Sequence, residues 1–361
     1  MRQGTDTSRL SSAPPKSWVC VKPFCCATPS AGLLSGTAGA KAALYNAKGD
    51  PLKLISIVSP CYNEQDNVEQ LYLRTRDTLA RFPQFRYEHI FIDNSSTDQT
   101  VPILRRLAEA DPNVKVIVNA RNFGHLRSPH HAMLDAEGDA VGMLLSDLQD
   151  PPELMGDMIE EWARGTPVVV GIKNTSEENW LMYRIRSLYY GTIARLTSLH
   201  VLEHFTGFGL YDRKVMDVLR KDFRDPYPYF RGMIAEIGFP YKVFFYNQKR
   251  RERGITKNNF YTLYDLAMLG ITNLSKVPLR LVTFTGFVFA LLSGAVGTGY
   301  LVAKLLFWNH FSIGIAPVVV GLFFFGSVQL VALGVIGEYI GSIHTMVQGR
   351  PLVVEKERIN F

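Results

Sequence analysis

Two stretches near the C-terminus limit the fold more than anything else in the chain. From Leu281 to Ala303 and from Phe311 to Gly337, Tyr300 is the only ionisable side chain. At 1.5 Å per residue, either stretch spans the roughly 30 Å hydrocarbon core of a bilayer as a helix. Two buried core helices would also be apolar. Apolarity on every face over such lengths favours a membrane hairpin, whose backbone satisfies its own hydrogen bonds. Lys276 and Arg280 precede the first stretch, and Arg350, Lys356 and Arg358 follow the second. The connection offers only Lys304 and His310. The excess of cations at the outer ends predicts that both ends, and the large region before them, lie in the cytoplasm.

The rest of the chain is long enough for one large domain. The formal net charge of +6 points to acidic partners such as a phosphorylated substrate or an anionic membrane surface. No Lys/Arg block interleaved with aromatics dominates, which argues against nucleic acid. Cys20, Cys25, Cys26 and Cys61 show no CxxC spacing, so neither a disulfide framework nor a zinc site is expected, in keeping with a reducing cytoplasm. Residues 1–50 are rich in Ser, Ala, Pro and Gly without a sustained period and read as a disordered extension, with no clean secretory signal.

From Leu54 to about Tyr246, short apolar runs alternate with amphipathic ones. LISIV (54–58), HIFI (89–92), VKVIV (114–118), AVGMLL (140–145) and PVVVG (167–171) read as buried strands. Val68, Leu71, Thr75 and Leu79 share one helical face, and VPILRRLAEA (101–110) follows the cap-type residues Thr97 and Asp98. This alternation predicts an α/β fold with a parallel, doubly wound sheet, in which ligands bind beyond the carboxyl ends of the strands.

Those ends carry SPCYNEQDN (59–67), DNSSTDQT (93–100) and SDLQDPPE (146–153). Asp, Asn, Ser and Thr at one strand end ordinarily cap a helix. Carboxylates at three such ends favour a site. No GxxxxGK[ST] and no GxGxxG follows a strand, which removes the P-loop and dinucleotide readings. Acidic groups facing a diphosphate need a cation between them, and Mg²⁺ or Mn²⁺ suits oxygen ligands. Asp147 offers a carboxylate and Gln149 a carbonyl, while Pro151 and Pro152 restrict the turn that follows.

SIVSPCYNE, IDNSSTDQT, RNFGH, SDLQDPPE, FRGMIAEIGF, RRERGITKNNF, GITNLSKVPLR and GEYIGSIHTMVQGRPL together resemble a family 2 glycosyltransferase of GT-A fold. More narrowly, residues 54–361 are similar to bacterial polyprenyl-phosphate (bactoprenol) glycosyltransferases and dolichol-phosphate mannose synthases. The resemblance implies a GT-A domain over 51–257, amphipathic membrane-interface helices over 258–280, a transmembrane hairpin over 281–343 and a cytoplasmic tail over 344–361. It implies a multi-pass protein of the bacterial plasma membrane whose donor is a nucleotide-diphospho sugar, UDP favoured, and whose acceptor is a polyprenyl phosphate. Pro60, Tyr62 and Glu64 would line the donor base, and Asp93 would hydrogen-bond base or ribose. Asp147 and Gln149 would hold the metal. Arg251 and Lys257, in RxxGx[ST]K, would sit near phosphate. Assembly into a homo-oligomer through membrane-proximal elements would also be in keeping with the family.

Three positions depart from the family pattern. Leu145 stands where DxDxQ has its first aspartate, Asn94 and Ser95 follow Asp93 where DDGS has Asp and Gly, and Gly207 and Gly209 replace an aspartate and an arginine. With one carboxylate fewer, either the metal is held more weakly or Asp150 or another side chain compensates. Expulsion of a nucleoside diphosphate builds negative charge that a divalent cation stabilises. A phosphate acceptor is already anionic, so it needs cationic positioning more than a general base. Lys173, Arg184, Arg186, Arg231, Arg251 and Lys257 are the candidates, although Arg184 and Arg186 read equally well as a solvated face. A single displacement would invert the anomeric carbon. Two alternatives stay open: transfer to a sugar hydroxyl of a lipid-linked saccharide, and a membrane-anchored relative without activity. A processive synthase is disfavoured, because QxxRW is absent. His125, His130 and His131 match no zinc spacing. Cys61 reads as a small residue at a tight strand end, Gln329 as an interhelical hydrogen-bond group, and Glu236 as a modest acceptor-side candidate.

Overall fold

The computed structural model describes residues 51–174, 205–248, 268–272, 275–307 and 315–361. Its eight strands are β1 (Leu54–Cys61), β2 (Arg86–Asp93), β3 (Val114–Asn119), β4 (Ala140–Met143), β5 (Val168–Lys173), β6 (Phe205–Asp212), β7 (Tyr241–Tyr246) and β8 (Glu355–Ile359). They form one sheet in the order β7-β5-β6-β4-β1-β2-β3-β8. Strands β1, β2, β3 and β4 run parallel, and most of their residues are buried, as a parallel sheet covered on both faces requires. β6 runs against β4 and β5, and β8 runs against β3, so the sheet is mostly, not wholly, parallel.

Alternate residues of each strand feed two cores. Ile55, Ile57, Phe91 and Val116 pack with Val68 and Leu71 of α1 (Val68–Leu79), Leu104 of α2 (Thr100–Ala110) and Met155 of α4 (Leu154–Ala163). Val58, Ile90, Ile92 and Ile117 pack on the other face with Met133 of α3 (Gly124–Asp135), Met216 of α5 (Arg213–Asp222) and Ile234 of α6 (Phe230–Ile237). Each fully buried Ile or Leu stabilises by about 1.5–3 kcal/mol, and the two clusters leave one sheet edge of β1, β2 and β4 for the site. α2 starts at Thr100 behind Gln99. The capping bond nevertheless comes from the expected neighbour, since Asp98 Oδ1 accepts from the Thr100 amide at 3.0 Å.

Two long helices follow, α7 (Val277–Leu306) and α8 (Ile315–Val347). Their apolar windows, Val277–Tyr300 and Gly321–Val347, have no part buried inside the protein. That separates them from core helices. A helix this apolar and uncovered needs a lipid solvent. The chain is therefore an α/β core followed by two long apolar helices in the arrangement of a transmembrane hairpin.

The C-terminal residues expected as a tail return to the sheet. β8 pairs antiparallel with β3, from Val116↔Ile359 to Asn119↔Glu355. EKERI is too charged to read as a strand alone. Partners on α2 and α3 hold it: Arg105 pairs bidentately with Glu357, Arg358 reaches Asp135 at 2.8 Å, and His131 Nε2 lies 2.5 Å from Glu355.

Candidate active site

The sheet order puts β4, β1 and β2 side by side, so their three carboxyl-end loops are neighbours. Each loop contains one non-glycine residue in the left-handed region: Asn63 (φ 56°) after β1, Ser95 (φ 66°) after β2 and Leu148 (φ 57°) after β4. Such conformations cost about 1–3 kcal/mol each and persist where surrounding bonds over-determine them. Those bonds are present. The Asn63 amide donates to Ser96 Oγ at 2.8 Å, and Asn63 Oδ1 accepts from the Thr97 amide at 2.8 Å. The Glu64 amide donates to Thr100 Oγ1 at 2.9 Å. Cys61 Sγ and Ser146 Oγ, 3.1 Å apart, join the first loop to the third.

Asp93 is fully buried at the end of β2, and its carboxylate accepts from the amide and hydroxyl of Ser96. Desolvation raises its pKa, against those hydrogen bonds. Asn94 beside it is the centre of a polar network. Its Oδ1 accepts from the Phe123 amide at 2.9 Å and from Asn119 Nδ2 at 3.2 Å, and its Nδ2 donates to Asn122 Oδ1 at 2.9 Å and to the Gly124 carbonyl at 3.2 Å. These bonds lock the RNFGH segment onto the rim.

In the third loop Asp147 and Gln149 are half-buried, and the Gln149 amide donates to Asp147 Oδ1 at 3.2 Å. The prolines then make a tight turn: Leu154 and Met155 amides donate to the Pro151 and Pro152 carbonyls, each at 3.1 Å. Asp150, the side chain open to compensating for Leu145, is fully buried. Its Oδ1 accepts from the Tyr246 hydroxyl at the end of β7, and its Oδ2 has no hydrogen-bond partner among the described residues. Desolvation pushes its carboxyl up to about 7; the Tyr246 hydroxyl and Lys173 oppose the shift, and Asp147 adds to it.

Pro60, Tyr62 and Glu64 lie at the same rim, half-buried, with Glu64 Oε2 accepting from Asn67 Nδ2 at 2.6 Å. Lys173 ends β5, and its Nζ donates to Gln248 Oε1 at 3.2 Å. Arg231, on α6, lies near His125, whose pKa is lowered by desolvation and by this cation. Arg184, Arg186, Arg251 and Lys257 lie outside the described residues, as do 1–50 and 258–267. Next to the rim, a cavity of about 620 Å³ opens between His125, Tyr227 and Thr272 on one side and Gly337, Glu338 and Gly341 of α8 on the other.

The family model for glycosyl transferase family 2 matches residues 56–220, which hold most of β1, β2 to β6 and all three rim loops. Over 82% of this chain and 93% of its own, an uncharacterized glycosyltransferase of Synechocystis sp. is 32% identical. The SfII prophage-derived bactoprenol glucosyl transferase of Shigella flexneri is 32% identical over 84% of this chain and 97% of its own. The chain belongs to glycosyltransferase family 2. Among solved structures, it is similar to a mannosyltransferase from Pyrobaculum calidifontis in complex with GDP-Man and Mn²⁺, at 13% identity, a TM-score of 0.38 and coverage of 81% of this chain and 86% of that chain.

The family 2 enzyme explains its own departures from the pattern. Leu145 is partly buried against the second core, so the position of the first aspartate has become packing. Gly209 sits where a Cβ would come within 2.5 Å of the Val169 carbonyl, and Gly207 has φ +103°. Neither position accepts the aspartate or arginine of the pattern without moving β6. Asn94 supplies an amide that both donates and accepts, which an aspartate could not do for this loop.

The buried acid and two buried histidines make stability depend on pH in opposite senses. Asp150 keeps its proton up to about pH 7 when folded and releases it near pH 4 when unfolded, so stability falls as pH rises through that window. Burial depresses His89 to about 3 and His130 to about 4. Unfolding lets both bind protons below about pH 6.5, so their effect is a loss of stability as pH falls. Asp150→Asn removes the first trend and leaves the second. Denaturant unfolding of the detergent-solubilised protein between pH 4 and 6.5 should then show a slope steeper by about 1.4 kcal/mol per pH unit. An unchanged slope would mean that Asp150 is ionised throughout.

Proposed function

We propose that this glycosyltransferase moves a sugar from a nucleotide-diphospho sugar, preferably UDP-linked, to a polyprenyl phosphate at the cytoplasmic face of a bacterial membrane, with inversion at the anomeric carbon. Relatives named as bactoprenol glucosyl transferases support the acceptor. The observation that carries the reading is the adjacency of a carboxylate-bearing rim and a cavity walled by a membrane helix. The Gly124 carbonyl belongs to the rim network, and the next residue, His125, lines the cavity. A water-soluble donor and a lipid acceptor could therefore meet within a short distance.

In this reading Pro60, Tyr62 and Glu64 line the nucleotide base, and Asp93 takes base or ribose. Asp147, Gln149 and Asp150 would hold Mg²⁺ or Mn²⁺. The fit rests on hard oxygen donors and on the buried Asp150 Oδ2, which has no hydrogen-bond partner among the described residues. Such an ion supplies Lewis-acid stabilisation of the departing nucleoside diphosphate. The left-handed residues at 63, 95 and 148 keep the rim preorganised, so little rearrangement is needed when charge develops. Lys173 and Arg231 would position the acceptor phosphate, which attacks without a general base, and Arg184, Arg251 and Lys257 are assigned to it from the sequence alone. Domain bounds of 51–257, completed by β8, 258–280 and 281–343 go with this division of labour.

Purified protein should transfer sugar from UDP-sugars to a long-chain polyprenyl phosphate, EDTA should stop it, and NMR of the product should show an inverted anomer. Transfer only to the sugar hydroxyls of lipid-linked saccharides would replace this reading. Gly337→Leu tests the cavity. An added Cβ at Gly337 meets nothing within 4 Å, and leucine favours a helix over glycine, so the substitution fills space without disturbing the fold. The KM for lipid acceptor should rise at least about tenfold with donor affinity unchanged. An unchanged acceptor KM would remove the cavity from the site.

A further inference from the structure

Arg127, on α3 three residues beyond Gly124, is half-buried and touches three segments that are far apart in sequence. Its guanidinium carbon lies 5.4 Å from the ring centre of Phe123, whose amide donates to Asn94 at the donor rim. It lies 5.4 Å from the ring of Tyr227, a wall of the cavity. Its Nη2 donates to the Pro351 carbonyl at 2.6 Å, in the short connection from α8 to β8. No carboxylate pairs with it among the described residues, and its Nε is buried without a hydrogen-bond partner. A half-buried guanidinium over two rings and on a backbone carbonyl ties the three segments together.

The connection is stitched to the same rim a second time. The Ala120 amide donates to the Val354 carbonyl at 2.9 Å, and Val353 is buried. The chain therefore leaves the membrane helix and passes directly across residues 120–127, the segment that Asn94 locks to the end of β2. Rim and membrane exit share one small block, with Arg127 as its central side chain.

We propose that Arg127 is a positioning residue: it sets the height and tilt of the donor site relative to α8, so that a phosphate anchored at the membrane surface reaches the anomeric carbon. This rests on the lipid-acceptor reading above. An acceptor held in a bilayer cannot adjust its depth freely, and an error of about 1 Å in approach can cost about 10²-fold in rate. A soluble acceptor finds its own depth. Lysine keeps the charge but not the flat face that stacks between Phe123 and Tyr227, so it restores only part of the effect.

The test uses full-length wild-type, Arg127→Met and Arg127→Lys proteins in phospholipid vesicles. Three quantities are measured: UDP affinity by calorimetry, transfer to a long-chain polyprenyl phosphate embedded in the vesicles, and transfer to a short, water-soluble two-isoprene phosphate. Arg127→Met should lose at least about tenfold in kcat on the embedded acceptor, and Arg127→Lys less, with UDP affinity and short-acceptor turnover unchanged. Hydrogen exchange at residues 350–354 should quicken in both variants. If Arg127→Met does not fold, Arg127→Lys carries the same comparison. Equal losses on the two acceptors, or no loss on either, overturn the inference while leaving the functional reading in place. Wild-type protein inactive on both phosphates overturns the functional reading and this inference with it.

Discussion

Asp147→Ala is expected to lower sugar transfer by about 10²–10³-fold while leaving the protein folded. The side chain is half-buried on the third rim loop, and the backbone bond it takes from Gln149 is long at 3.2 Å. Losing that bond costs about 1 kcal/mol, too little to unfold the domain. Its proposed task is different: one of few carboxylates able to hold a cation against the donor diphosphate, with Leu145 withdrawn into packing. The remaining oxygens, from Gln149 and Asp150, provide less charge. The variant should therefore bind Mn²⁺ with UDP more weakly in calorimetry while its unfolding midpoint falls by only a few degrees. Full turnover in Asp147→Ala would remove it from the metal site.

Removing residues 355–361 should destabilise the enzyme by several kcal/mol, a large share of the roughly 5–15 kcal/mol of an ordinary domain. β3 would lose its ladder with β8, and the two bonds from Asn360 Nδ2 to the Ala108 and Val114 carbonyls, at 2.7 and 2.9 Å, would go as well. Each such bond contributes about 1 kcal/mol net. The bare edge of β3, with Val116, Ile117 and Val118 in a row, would then invite pairing between chains. Asn119 would lose its strand partner Glu355 while still bonded to Asn94, so donor affinity should fall too. The exposed Arg105–Glu357 pair is a minor part: Glu357→Ala should cost no more than about 1 kcal/mol. Denaturant midpoints and size-exclusion profiles check both results. A truncated protein as stable and monodisperse as the full chain would show that β8 is dispensable.

The rim was readable because its parts are local. A strand delivers Asp93 or Asp147 at its carboxyl end wherever the sheet is parallel, and apolar runs mark such strands without any knowledge of their neighbours. Asp150 was only partly readable. It sits in the same SDLQDPPE segment, yet its burial depends on Tyr246, 96 positions away, donating to it. No spacing in the sequence joins those two residues. Asn94 looked like a departure from a pattern and became the centre of a network once Asn119, Asn122 and Phe123 were brought beside it. The glycines at 207 and 209 likewise make sense only against Met143 and Val169 on the adjacent strands.

Composition and periodicity alone settle the α/β alternation, the rim of carboxylates and the two bilayer-length helices. Each follows from short-range physics: backbone hydrogen bonds, the repeat of a strand or helix, and the cost of exposing apolar surface to water. Three-dimensional packing decides the rest. It turns the charged EKERI tail into an edge strand, buries Asp150 beside a tyrosine, and ties the segment after α8 to the rim through Arg127. Those outcomes depend on contacts between segments distant along the chain, whose energies exist only after the sheet has chosen its order.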